Sequence, residues 1–197
     1  MRLTRDFFER DTLEVARDLL GKRLVRQTED GKITAGIIVE TEAYCGRFDE
    51  ACHSYKGKTE RTAVMFGPKG HAYIYLIYGM YHCLNLTSGK EGEPECVLIR
   101  ALEPIEGLHH MHERRGTDKL KNLCSGPGKL AMALDTPKTL SGLDLCTGET
   151  LYLEHRIEVS EVTTSPRINI AYAGEAAHYP WRFTITGSPH VSVKPKV

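Results

Sequence analysis

The chain has 197 residues, 41 % of them hydrophobic and 26 % charged, with 26 basic side chains against 26 acidic ones. That length suits one full domain spanning 1–197 and is short for two. The composition is that of a soluble globular protein. Its apolar runs are too short to cross a membrane and Met1–Phe8 holds no signal-like stretch, so a cytoplasmic or nuclear protein is expected.

In chain order, Asp11-Thr-Leu-Glu14 resembles a capping box, opening a helix whose Leu13, Ala16 and Leu20 share a stripe and which Gly21 ends. Residues 33–44, 71–87 and 95–103 read as strands rich in Ile, Val, Tyr and Leu. Helices are predicted near 105–115, stopped by Gly116, and near 127–135, where Pro127 suits the first helical position. Residues 150–159, 167–172, 181–186 and 190–194 read as further short strands. Strands come in groups without regular βαβ alternation. The expected class is α+β: one compact domain with a largely antiparallel curved sheet, flanking helices and a protruding tyrosine hairpin.

That hairpin is the run Tyr73-Ile-Tyr75-Leu-Ile-Tyr78-Gly79-Met-Tyr81, four of the nine tyrosines within nine residues. Alternation sends Tyr73, Tyr75 and Ile77 to one face, and Gly79 supplies the positive φ of a two-residue hairpin turn. A ring at the tip, Tyr78, is either plain packing or a tool for stacking on something flat.

Zero net charge argues against a nucleic-acid protein, but the distribution does not. Residues 55–90 hold Lys56, Lys58, Arg61, Lys69 and Lys90 against Glu60, and 113–130 hold Arg114, Arg115, Lys119, Lys121 and Lys129 against Glu113 and Asp118. A neutral chain can still present one basic face. The six cysteines form no CxxC pair and read as reduced, inert thiols, with neither disulfide nor zinc expected. His109, His110 and His112 read as a solvated helix face.

Chemistry concentrates in three places. Glu40, Glu42 and Tyr44 fall on one strand face, and paired carboxylates beside a ring suit acid–base work on a cyclic substrate. His53 precedes the basic loop, as a phosphate contact or a core histidine. Arg100 ends an apolar strand and requires an acidic partner, Glu40 or Glu42.

Val39-Glu-Thr-Glu42-Ala-Tyr44, Ala51-Cys-His53-Ser54, Ile77-Tyr78-Gly79-Met80-Tyr81, Val97-Leu-Ile-Arg100-Ala-Leu-Glu-Pro104, Cys124-Ser-Gly-Pro127 and Gly187-Ser-Pro189 arrive in one order. As an ordered set they closely resemble the alkyladenine (3-methyladenine) DNA glycosylases, from about Leu3 to Val193. The resemblance implies a monomer that enters the minor groove of double-stranded DNA containing damaged purines. It needs no cofactor and no metal, and would work at the nucleoid in a bacterium or in the nucleus of a eukaryote. By the same likeness Tyr78 is the wedge filling the gap left by a flipped nucleotide, with Met80 beside it on the DNA. Tyr44 on one side and Tyr75 with His53 on the other hold the base. Asn85 screens purines against the amino group of guanine, and Tyr73 and His53 steady the flanking phosphate. Glu42 is the general base that activates water, which Arg100 helps to hold with the main chain near Ile168. Residues 54–60 differ from the mammalian members. A non-catalytic damaged-DNA binder and a nucleosidase-like hydrolase are the competing readings.

Overall fold

The computed structural model describes residues 1–195. Its strands are β1 (Arg23–Gln27), β2 (Ile33–Tyr44), β3 (Ala72–Ile77), β4 (Tyr81–Ser88), β5 (Glu95–Glu106), β6 (Leu151–Glu154), β7 (Val162–Ser165) and β8 (Arg182–Ile185). They form one antiparallel sheet in the order β3-β4-β5-β2-β1-β6, with β8 also on β2 and β7 on β8. The α+β class is thus as the sequence predicts.

The sheet forks along β2. One edge of β2 is paired to β5 from Ala35 to Tyr44, while the other meets β1 over Ile33–Ile37 and β8 over Glu40–Glu42. Register shifts against β5 fall at Ile38/Glu40 and Glu40/Thr41, a bulge that bends the strand where the fork opens. Glu40-Thr41-Glu42 therefore lies between the strand that carries Arg100 and the strand that carries Arg182.

Four helices flank the sheet: α1 (Arg5–Phe8), α2 (Thr12–Asp18), α3 (Leu108–Arg115) and α4 (Pro127–Leu134). The Asp11 carboxylate accepts the N–H groups of Leu13 and Glu14, as a capping residue should. The regular helix stops at Asp18; the Leu20 N–H still turns back to Arg17 O, and Gly21 at φ +81° carries the chain away. Pro127 opens α4 and Gly116 closes α3 in the left-handed region, both as predicted. Val15, Leu19, Ile38, Leu84, Val97 and Ile99 belong to one buried cluster that joins the helices to the sheet, each stabilising by about 1.5–3 kcal/mol. Among them the Thr41 hydroxyl donates to Ala16 O at 2.7 Å. With Thr41 turned to the helix, alternation turns Glu40 and Glu42 to the opposite face.

Three strand predictions need correction. Residues 167–172 are an irregular loop, since Asn169 at φ +60° breaks the extended chain and Arg167 turns inward to an acid; the strand lies earlier, at β7. Residues 190–194 form no ladder, because the Ser192 N–H is taken by a carboxylate. Of 150–159 only β6 pairs. Strand β1, too short and mixed for a clear period, has no counterpart in the sequence reading.

The hairpin of β3 and β4 closes at the Ile77↔Tyr81 pair, so its loop is three residues, Tyr78 to Met80, rather than two. The Met80 N–H donates to Ile77 O, and both central residues take positive φ, Tyr78 at +54° and Gly79 at +69°. Glycine accepts that setting freely; a tyrosine there is strained. Tyr78 and Met80 stand 77 % and 63 % exposed at the tip. Tyr81 leans on α4, where a Cβ at Gly128 would come within 3.0 Å of its own Cβ. Among the described residues no helix is long and apolar enough to cross a membrane.

Candidate active site

A cleft of about 410 Å³ opens between the hairpin, the 51–53 and 168–172 loops and the start of α4. Tyr44, His53, Tyr73, Tyr75, Tyr78, Asn85 and Arg100 all border it. Glu42 does not. It is fully buried behind Tyr44 and Arg100, contrary to the exposed strand face that an i, i+2 glutamate pair usually occupies. Met80 points to a neighbouring groove shared with Arg114.

The floor of the cleft is ionic. Arg100 Nε donates to Glu40 Oε1 at 2.9 Å, and its Nη1 stands 3.4 Å from Glu42 Oε1, so the arginine engages both candidate acids. Glu42 Oε1 also accepts the Ile168 N–H at 2.7 Å, and its Oε2 accepts the Tyr44 hydroxyl at 2.8 Å. A carboxylate offers about four acceptor positions, which leaves one open on Oε2. Burial, and then Glu42, push the Tyr44 phenol far up, keeping it a proton donor. Glu40 takes one donor more: Arg100 Nε, Arg182 Nε at 2.8 Å and the Ser192 hydroxyl converge on its Oε1, and the Ser192 N–H on its Oε2. Burial opposes its ionisation, but Arg100 and Arg182 outweigh it and hold the carboxyl below the usual range.

One wall is built on Tyr44, whose ring lies 4.7 Å beneath the Arg167 guanidinium. Arg167 is fixed by a two-pronged bond to Asp49 at 2.5 and 2.7 Å, and Asp49 also accepts the N–H groups of Cys45 and Ala51. The facing wall is aromatic, with His53 and Tyr75 edge to face at 4.6 Å between centroids. Asn85 donates both amide protons to the carbonyls of Tyr73 and Cys83, which fixes its orientation at the cleft.

Tyr73 is only 1 % exposed, and its phenol lies between the Arg61 Nε at 3.2 Å and the His53 Nδ1 at 2.9 Å. Arg61 can only donate, so the phenol accepts from it. The buried phenolic proton then needs an acceptor, which only an unprotonated Nδ1 provides. The side of the ring covered by Tyr73 and Tyr75 loses water, and this, then the nearby Arg61, push the imidazole down to about 4, although the outer side of His53 stays exposed. His53 is therefore neutral with its proton on Nε2. The expected ring nitrogen NMR spectrum shows that tautomer from neutral pH down to about 4. A ring protonated at pH 6 would contradict the arrangement. Because the folded value lies below the ordinary 6.5, its contribution to stability is present above 6.5 and is lost as pH falls toward about 4.

The sequence reading missed Arg167, Asp49, Arg182 and Ser192. Arg182 carries the signal that exposed Arg100, an arginine inside an apolar strand; Asp49 and Ser192 carry none. Of the first basic cluster, Lys69 is withdrawn: it is fully buried, with its ammonium on the carbonyls of Met65 and Glu93. Arg61 remains exposed at the cleft rim.

Residues 6–189 match the family model described as methylpurine-DNA glycosylase. Curated relatives provisionally named 3-methyladenine DNA glycosylase include one from Methanocella arvoryzae, 54 % identical over 191 residues covering 96 % of this chain and 95 % of that one. Another from Alkaliphilus oremlandii is 48 % identical over 207 residues, covering 98 % and 100 %, and one from Bacillus cereus (strain G9842) is 51 % identical over 201, covering 95 % and 97 %. An aromatic cleft over a buried carboxylate–arginine floor, carried on a sequence so matched, leaves one assignment: the chain belongs to the methylpurine-DNA glycosylase family, hydrolases of N-glycosyl bonds.

Proposed function

We propose that the protein is a monofunctional 3-methyladenine DNA glycosylase that acts as a monomer on damaged purines extruded from double-stranded DNA. The observation that carries this reading is the pairing of an aromatic slot with a fully buried carboxylate directly behind it. The hairpin enters the minor groove, Tyr78 takes the place of the extruded nucleotide, and Met80 lies along the DNA beside it. The base slides between Tyr44 and the Tyr75–His53 wall. Alkylation at purine N3 or N7 makes the base cationic, which strengthens its attraction to tyrosine faces and makes it a good leaving group. Asn85, immobilised by two carbonyls, screens against the amino group of guanine. Arg61 meets the flanking phosphate, and Tyr73 acts through Arg61 and His53 rather than by its own contact, since it is buried.

The attacking water takes the open position on Glu42, which accepts its proton, while Arg100 Nη1 stands 3.4 Å from the other carboxylate oxygen. Positive charge developing on the sugar is stabilised by that buried carboxylate. Among the residues lining the cleft there is no lysine, so no amine is at hand to trap the sugar, and the product is an abasic site in an uncut strand.

Tyr78→Ala is expected to weaken binding to lesion duplex by roughly 10- to 100-fold, the worth of one base–aromatic stack of about 1–3 kcal/mol. A slow residual reaction should remain. Titration of a fluorescent lesion duplex checks this, and wild-type affinity for the variant would remove the wedge assignment.

A further inference from the structure

Glu40, Arg182 and Ser192 belong to no step of the proposed reaction, yet they are joined to one another and to Arg100 by a dense set of bonds. Glu40, Arg100 and Arg182 are 0, 7 and 1 % exposed. Arg182 donates from Nε to Glu40, from Nη1 to Ser165 at 3.1 Å, and from Nη2 to the Val193 carbonyl. Ser192 gives Glu40 its N–H at 2.5 Å and its hydroxyl at 2.8 Å, and Arg100 Nη2 reaches the same hydroxyl at 3.3 Å. The segment 191–193 thus crosses beneath the cleft as a strap, bonded to both arginines and to the acid between them.

The bonds to Arg100 divide its guanidinium. Nε and Nη2 are occupied by Glu40 and Ser192, which leaves Nη1 alone directed at Glu42. A guanidinium is rigid and planar, so fixing two of its nitrogens fixes the third. The charges also balance, with Glu40 and Glu42 against Arg100 and Arg182. We infer that Glu40, Arg182 and Ser192 are positioning residues of the proposed reaction: they aim Arg100 at Glu42 and keep the charge around it neutral, with the C-terminal strap as part of the device. This rests on the assignment of Glu42 as the base.

Glu42 faces Tyr44 and Glu40 on its own strand, Cys83 from β4, Arg100 from β5, Arg167 and Tyr172 from the neighbouring loop, and Arg182 from β8. Of these only Glu40, Arg100, Arg167 and Arg182 carry charge at neutral pH, and Arg167 is already matched by Asp49. Neutralising Glu40 therefore leaves one positive charge in excess, and neutralising Arg182 leaves one negative.

The test is the pH profile of single-turnover base release from a 3-methyladenine analogue duplex, with lesion affinity measured alongside. Glu40→Gln should move the acid limb to lower pH and Arg182→Met to higher pH, each by about one unit, the usual effect of one close charge. Arg182→Lys should restore the wild-type limb. Ser192→Ala changes no charge; it should leave the limb in place and lower the rate about tenfold, as loss of alignment does, at unchanged affinity. Opposite shifts of the limb are not a consequence of loosened packing, and the mild Lys and Ala variants keep the test readable if the others fold poorly. Limbs that stay put or move together, or a wild-type rate in Ser192→Ala, would overturn the inference provided Glu42→Gln is inactive. If Glu42→Gln still releases base, the assignment of the base itself has failed.

Discussion

Glu42→Gln should lose base release by at least two orders of magnitude while still binding a lesion duplex as tightly as the wild type. General-base assistance is commonly worth roughly 10²–10⁴-fold, and this carboxylate would also face the developing sugar charge. The amide keeps the shape of the acid and an oxygen for the Ile168 N–H, so the cleft walls should stand. Single-turnover release and equilibrium binding, measured on the same preparation, separate the outcomes. Retained release within tenfold of wild type rules Glu42 out as the base. Release lost while binding survives distinguishes an enzyme from a damaged-DNA binder that never turned over.

Asp49→Ala carries the largest expected effect on stability. Both partners of the Asp49–Arg167 pair have fully buried side chains, and the acid also caps two backbone N–H groups. Removing one member of such a pair strands the other charge, at a cost of about 3–5 kcal/mol. For a chain of this size each kcal/mol lowers the melting temperature by roughly 2–4 °C, so a fall of about 10 °C is expected by calorimetry. Arg167→Lys should not be benign, because an ammonium cannot make the two-pronged bond to Asp49. An unchanged melting temperature in Asp49→Ala would mean the pair is not what holds that wall.

The sequence disclosed the parts whose signal is local. Helix caps at Asp11, Pro127 and Gly116 act within a turn of themselves, and the three long strands are continuous β-branched and aromatic runs, so both were legible. Arg100 was legible too, because an arginine among Val, Leu and Ile demands an acid. What escaped depends on the chain returning to itself: Arg167 meets Asp49 across 118 residues, and Ser192 meets Glu40 across 152. Neither segment has a period, and the loop at 167–172 mimics a strand only because Ile168 and Ile170 flank a left-handed Asn169. The turn at Tyr78 was misjudged by one residue for a related reason: composition signals the glycine, but not that the tyrosine before it shares its backbone setting.

Two carboxylates near the surface proposed to meet phosphates look like a hindrance to approach. Their pairing removes it. Seen from the DNA, Glu40 and Glu42 with Arg100 and Arg182 form a set of opposed dipoles with no monopole, and its potential dies away over a few ångströms. A net charge would instead be felt out to the screening length of about 8 Å at physiological salt. On the proposed reading, an incoming duplex is then guided by exposed cations such as Lys56, Lys58 and Arg61. Only a group already inside the cleft, within contact range of Tyr44 and Arg100, senses the negative charge of Glu42. On the proposed reading, the acid is electrically silent toward the polymer and present only to the one nucleotide that has left the stack.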